Sequence, residues 1–378
     1  IAKACLLLSS SIPSVEPYPP HLKGVKKMKF FALSQRSGET YDAAGKAMHD
    51  VFTILAQKGC KTIWSMPKSC SKYMKILDLP YLAVFLLLNA GKKDSIFYSI
   101  PENHIKIKLL KKMQKIKKYN IICFINDLNA FRYGNANDPI VQQKMKEEAK
   151  IIGVADFVLM PNVNTGELLR KNGVTSTLIP VGVWDYLMSE EQGRALREHQ
   201  EKSCPPVKIA FAGNLNKSEF LKYMKLPADG SIELHLWGKL EENRKKDLPA
   251  HSFYHGVLPA DEVPQAVSSM DYGLVWDGTG KDAIEGGLGE YLKYNNSHKC
   301  GLYLASGIPA IVWKHSGMAH FVEEHHCGIT IGCLSELEEA IQAAPYKSIR
   351  ENAGKVSGEL QQGYYLSRAL DEALAAGK

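Results

Sequence analysis

The 378-residue chain lacks several signatures that would fix its class at once. None of its eight cysteines forms a CxxC pair: Cys5, Cys60, Cys70, Cys123, Cys204, Cys300, Cys327 and Cys333 are scattered, mostly in apolar runs. They read as buried free thiols in a reducing cytoplasm, not as a disulfide framework or zinc ribbon. There is no HExxH. The stretch "HFVEEHHC" (His320 to Cys327) has metal-site residue types without the spacing, and reads as a solvated helix end, so no metal is assigned. There is no GxGxxG, which argues against a dinucleotide site. No apolar run is long enough for a bilayer span; "YLAVFLLLNAG" (Tyr81 to Gly91) is too short and reads as a buried helix. The lysines are not interleaved with aromatics, which argues against a nucleic-acid partner.

Net charge is +7, a mild excess that suits an anionic ligand or surface. The length exceeds one ordinary core and predicts two domains. Residues 1–27 are Ser/Pro-rich, without a period or a signal-peptide layout. They read as a non-native or disordered leader, with Met28 as the start.

From Met28 onward, short apolar runs alternate with helical patterns. "KFFALS", "KTIWSM", "DSIFYSI", "NIICFI", "ADFVLM" and "STLIPVG" predict six buried strands before residue 188. Tyr41 to Lys58 predicts a helix with Ala47, Val51, Ile54 and Leu55 on one face. Residues 189–206, polar and ending in Pro-Pro, read as a linker or exposed helix. Alternation then restarts with "VKIAFAG", "IELHLWG", "SFYHGV", "DYGLVW", "IPAIVW" and "GITIG". This βα order predicts an α/β protein with two Rossmann-like domains, 28–188 and 207–347. A helical segment, 348–378, follows. Ligands of such sheets lie beyond the carboxyl ends of the strands, here in the cleft between domains.

Two stretches at such ends suit an anion. In "AFAGNLNKSEFL", Gly213 allows close approach, Asn214 to Ser218 leads into a helix start, and Lys217 adds charge. In "KYNNSHKCGLYLASGIPAIVW", Asn296 or Ser297 caps a core helix and Lys299 sits in its first turn. A cation there opposes the helix dipole unless an anion is also present. On the first-domain side, "INDLNAFR" puts Asp127 and Arg132 beyond a strand, where a carboxylate could act as a general base or simply cap a turn. The segment from His104 to Asn120 has seven lysines and no acid, with Ile105, Leu109, Met113 and Ile116 as a stripe. It could lie on anionic headgroups or cover a sheet with its lysines in water; both readings stay open.

The segment "GEYLKYNNSHKCGLYLASGIPAIVW", with "DAAGKAMHDV", "INDLNAFR", "VGVWDYL", "AGNLNKSEFL" and "YGLVWDG" in this order, resembles one bacterial family. These are GT-B enzymes of the β-1,6-galactofuranosyltransferase and streptococcal adhesin glucosyltransferase kind. The resemblance spans most of residues 28–370. It implies two domains facing across a cleft, a UDP-sugar donor in the second, and a glycan, glycoprotein or lipid-linked acceptor at the first. It implies no metal and no cofactor beyond the donor, and a last helix that crosses back to the first domain.

By position, Gly213, Asn214, Lys217, Tyr294, Asn295, Asn296, His298 and Lys299 would hold the nucleotide-sugar. Arg132 and Asp50 would lie on the acceptor side. Many retaining enzymes of this fold carry two donor-site glutamates; Tyr294 and Leu302 stand at those positions here. That favours an inverting reaction with Asp127 as base, and Asp50 or His49 as alternatives. A cytoplasmic protein with a peripheral membrane contact and a homo-oligomeric state complete the expectations. A nucleotide-sugar epimerase and a non-catalytic partner of another transferase are the competing readings.

Overall fold

The computed structural model describes residues 28–33, 43–64, 77–132, 138–198, 205–280 and 282–377. The leader expected over 1–27 lies outside the described residues, as do Cys5, Cys70 and Cys204.

Among the described residues, twelve strands form two sheets. The first contains β1 (Phe30–Leu33), β2 (Lys61–Ile63), β3 (Ser95–Ile100), β4 (Asn120–Ile125), β5 (Phe157–Met160) and β6 (Thr177–Pro180). The second contains β7 (Val207–Ala212), β8 (Ile232–Trp237), β9 (Ser252–Tyr254), β10 (Tyr272–Val275), β11 (Ala310–Trp313) and β12 (Gly328–Ile331). Their orders are β2-β1-β3-β4-β5-β6 and β12-β11-β10-β7-β8-β9, and every pairing is parallel. All twelve lie within the apolar runs read from the sequence. Helices cover both faces of such a sheet, so both side-chain rows are apolar and no polar alternation interrupts the run.

In the first sheet, Phe30, Ala32, Phe97, Ile122 and Phe124 share a core with Ala47, Val51, Ile54 and Leu55 of the Ala43–Gln57 helix. Phe31, Leu33, Ile96, Tyr98 and Ile121 pack on the other face, against the helices Asp78–Asn89 and His104–Lys117. The core of the first face continues through Val183 and Trp184 into Tyr303, Leu304 and Ala305 of the second domain. The two domains therefore share apolar packing.

Four local expectations change. The chain after β7 forms two 3-10 turns, Leu215–Lys217 and Glu219–Lys222, instead of a helix. The lysine-rich helix buries Lys106, Ile107, Leu110 and Met113, while Ile105 and Ile116 are exposed. Of the predicted stripe only Met113 is fully buried, and Lys106 turns inward to Asp78, at 3.6 Å. Tyr81 to Gly91 is buried on one face only: Leu82 and Leu86 meet the sheet, while Tyr81, Val84, Leu87 and Leu88 face out. The terminal segment is two helices, Tyr346–Gln361 and Tyr364–Ala376, parted at Gly363 with φ +75°.

The first of these stays on the second domain, where Ser357 Oγ and Gln361 Nε2 donate to the Ala305 carbonyl at 2.7 and 2.8 Å. The second crosses to the first domain. Lys58 pairs with Asp371 at 2.6 Å, and Asp185 accepts from the Tyr365 and Leu366 N–H groups. Burial pushes the Asp185 carboxyl up to about 7, against those two N–H bonds. Residues Glu190–Glu198 of the expected linker are helical.

Candidate active site

The carboxyl ends of the two sheets meet along a seam. Asn162, just past β5, caps the helix Val163–Lys171 by accepting from Thr165 N–H at 3.1 Å. Its amide also donates to the Tyr294 carbonyl at 3.1 Å and to Asn296 Oδ1 at 3.0 Å. Asn296 Nδ2 in turn donates to the Pro161 carbonyl at 2.7 Å. Gly317 allows this approach, because a Cβ there would lie 2.2 Å from Asn162 Nδ2. The Tyr294 ring lies against Phe131, with centroids 5.2 Å apart. Tyr294 and Asn296 thus face the first domain and join the halves. Asn295 Oδ1, between them, is buried and has no hydrogen-bond partner among the described residues.

Asp127 lies on the same seam, two residues past β4. The phenol of Tyr291, a second-domain residue, donates to Asp127 Oδ1, and the Leu128 N–H donates to the Tyr291 oxygen at 2.8 Å. Burial and the Asp127 charge hold the Tyr291 phenol far above its ordinary range, so it is a neutral donor. Arg132 ends the short helix Asn129–Arg132; its side chain lies outside the described residues.

Across the cleft, the helix His298–Ala305 begins after Ser297, which is extended (φ −66°, ψ 127°) and makes no side-chain cap. The N–H groups of its first turn therefore lack the usual hydroxyl acceptor. Lys299 in that turn lies over Gly213: a Cβ at 213 would meet Lys299 Cε at 2.9 Å. Its ammonium is 3.5 Å from Asp277 Oδ2 and 5.2 Å from the Phe211 ring centroid. Asp277 thus relieves part of the conflict between Lys299 and the helix dipole. At 3.5 Å the pair is looser than a direct charge-assisted hydrogen bond, typically about 2.7–2.9 Å. Asn214 caps the turn Leu215–Lys217 through Asn216 N–H at 3.2 Å, and Lys217 is exposed. Gly213, Asn214, Lys217 and Lys299 therefore lie at the carboxyl end of β7, inside the second sheet.

His298 stacks on Trp184, centroids 4.3 Å apart at 29°. Burial, and then the Lys46 charge, lower its pKa from 6.5 to about 4, so the ring is neutral near pH 7. Lys46 pairs with buried Asp50 at 2.7 and 2.8 Å, and the Leu187 N–H also donates to Asp50. The carboxyl of Asp50 is raised by burial, against the pull of Lys46. Asp50 is thus enclosed by its own domain.

The depressed His298 pKa has a testable sign. Below pH 6.5 the unfolded chain takes up a proton that the folded imidazole refuses, so stability falls as pH drops toward 4. His298→Phe keeps the stack and removes the titration. Between pH 6.5 and 5 the wild type should lose about 2 kcal/mol more than this variant, read by urea unfolding. Equal losses would place the imidazole in water.

Trp184, Asn162, Tyr291, Lys46 and Asp277 were not among the predicted residues. Asn162 and Asp277 follow strands directly, so position alone could have flagged them. Tyr291 and Lys46 sit in helices and had no local signal. A separate cleft of about 740 Å³ lies along the seam, lined by Lys171, Lys293, Tyr294, Lys314, His315 and Gly317 among others.

Comparison with known proteins agrees with this architecture. Residues 32–183 match the glucosyltransferase 3-like N-terminal domain, and residues 209–373 the glucosyltransferase 3-like C-terminal domain. The chain is 25% identical over 338 residues to the β-1,6-galactofuranosyltransferase WbbI of Escherichia coli, covering 88% of this chain and 94% of that protein. It is 26% identical over 264 residues to glucosyltransferase 3 of Streptococcus gordonii, covering 69% and 72%. Among solved structures, sucrose-phosphate synthase from Thermosynechococcus elongatus shares the fold with a TM-score of 0.55 and 12% identity, covering 93% and 100%. A glycosyltransferase from Rickettsia africae does so with a TM-score of 0.53 and 12% identity, covering 91% and 98%. The fold is GT-B, and the chain is a glycosyltransferase belonging to the glucosyltransferase 3-like family.

Proposed function

We propose that this glycosyltransferase moves a hexosyl unit, galactofuranose or glucose, from a UDP-sugar to a glycan or lipid-linked acceptor, with inversion and without a metal. The observation that carries the reading is Lys299, lying over Gly213 at the uncapped start of the His298–Ala305 helix. An ammonium beside a helix start with no side-chain cap, at the carboxyl end of the second sheet, suits a diphosphate. They would stabilise the charge that develops on it as it leaves, as a metal does elsewhere. Lys217 and Asn214 follow the same strand end, and neutral His298 offers a ring nitrogen to the sugar hydroxyls.

In this reaction the acceptor hydroxyl attacks the anomeric carbon from the face opposite the diphosphate. The bond from that carbon to the phosphate oxygen breaks, and UDP departs with the electron pair. Asp127 takes the hydroxyl proton, its carboxylate oriented by the Tyr291 phenol from across the cleft. Hydrophobic Leu302 and the seam residue Tyr294 occupy the positions of the retaining glutamates, which favours a single displacement.

A panel of UDP-hexoses and UDP, tested for binding and slow hydrolysis with the purified protein, checks this reading. Binding of UDP and release of UDP from at least one UDP-hexose are expected. Failure to bind UDP or any UDP-sugar would overturn it. Binding without hydrolysis or transfer would instead favour a non-catalytic partner of another transferase.

A further inference from the structure

The helix Asp78–Asn89 has apolar side chains on both faces. Leu82 and Leu86 fill the space over the first sheet. Tyr81, Val84, Leu87 and Leu88 point into solvent, 39%, 54%, 46% and 78% exposed. The half-exposed indole of Trp64, just past β2, stands edge-on to the Tyr81 ring with centroids 5.5 Å apart and extends the same patch. An outer helix of a free-standing soluble domain ordinarily carries polar residues on this face, and contiguous apolar exposure of this kind marks a contact surface.

The neighbouring helix His104–Lys117 supplies the charge. Lys106 reaches Asp78 at 3.6 Å, and Lys117 Nζ donates to the Leu87 carbonyl at 2.7 Å, so the two helices lie side by side. Lys108, Lys112 and Lys115 are exposed on the second helix and Lys118 just past its end, with Ile105 and Ile116 among them. Lys92 and Lys93 are exposed just beyond the first. The acids of this region are outnumbered by the lysines. Asp78 is buried on Lys106, Asp94 is buried on the N–H groups of Lys29 and Gly91, and Glu102 bonds the Asn103 N–H.

We propose that this face docks on an anionic bilayer, with the Asp78–Asn89 helix lying in the headgroup plane and the lysines meeting lipid phosphates. The helix is about 18 Å long, too short to cross a bilayer and long enough to lie along one. Trp and Tyr beside aliphatic side chains suit the boundary between acyl chains and water, where one end of the ring is dry and the other wet. Lysines there each add attraction to anionic headgroups. A second copy of the chain on this face would oppose lysine to lysine, which is unfavourable. The inference does not depend on which donor the cleft holds.

Co-sedimentation with vesicles tests it, using phosphatidylcholine alone and phosphatidylcholine with about one quarter phosphatidylglycerol. The wild type should partition about tenfold or more in favour of the anionic vesicles. Val84→Glu/Leu88→Glu should lower that partition about tenfold or more. Lys108→Gln/Lys112→Gln/Lys115→Gln should do the same. All five side chains are exposed, and the melting temperature should stay put. No binding to either vesicle, equal binding to both, or wild-type binding by either variant would overturn the proposal. So would a wild-type dimer in light scattering that Val84→Glu/Leu88→Glu separates, which would assign the face to a second copy.

Discussion

Asp127→Asn will lower kcat by about 10²–10⁴-fold, the range for loss of a positioned general base. The substitution leaves an amide oxygen to accept the Tyr291 hydrogen bond, so the seam between β4 and the second domain should persist. UDP affinity should therefore stay within about twofold. Steady-state transfer and calorimetric UDP binding separate the two effects. Near-wild-type kcat would remove Asp127 from catalysis and leave it as a link between domains. A parallel loss of UDP affinity would show that the seam had opened.

Lys299→Ala will weaken UDP binding by about tenfold or more, since a charge-assisted hydrogen bond to phosphate contributes roughly 1.5–3 kcal/mol. The rival role for Lys299 is structural: it neutralises Asp277, 3.5 Å away. That role predicts a different pattern, a lower melting temperature with unchanged UDP affinity. Lys299→Arg sharpens the contrast. It keeps the charge, but it brings a wider head to a side chain that runs close over Gly213, where an added Cβ would stand 2.9 Å from it. Recovery by arginine should be partial if the site is shaped around a lysine.

The two sheets were legible because parallel strands covered on both faces read as unbroken apolar runs such as "NIICFI" and "SIFYSI". The carboxyl end of the second sheet was legible in part. Gly213 and Lys299 were each flagged by a local argument, a close-approach glycine and a cation at a helix start, and the fold sets one on the other. The helix expected after β7 was not there, because Asn214 and Ser218 turn the chain into two short 3-10 segments.

The seam was hidden for a different reason. Asn296 finds Asn162 across 134 residues of sequence, and Tyr291 finds Asp127 across 164. No local periodicity encodes partners that far apart. The outward apolar face of Asp78–Asn89 was misread because a short apolar run does not say how many of its sides are covered.

The central claim is that the diphosphate sits at the start of the His298–Ala305 helix. A crystal structure of the UDP complex tests it directly. The predicted result is a phosphate within about 3.5 Å of Lys299 Nζ and of the first-turn N–H groups, with the cleft along the seam unoccupied by the nucleotide. A diphosphate found instead among Lys171, Lys314 and His315 would contradict it.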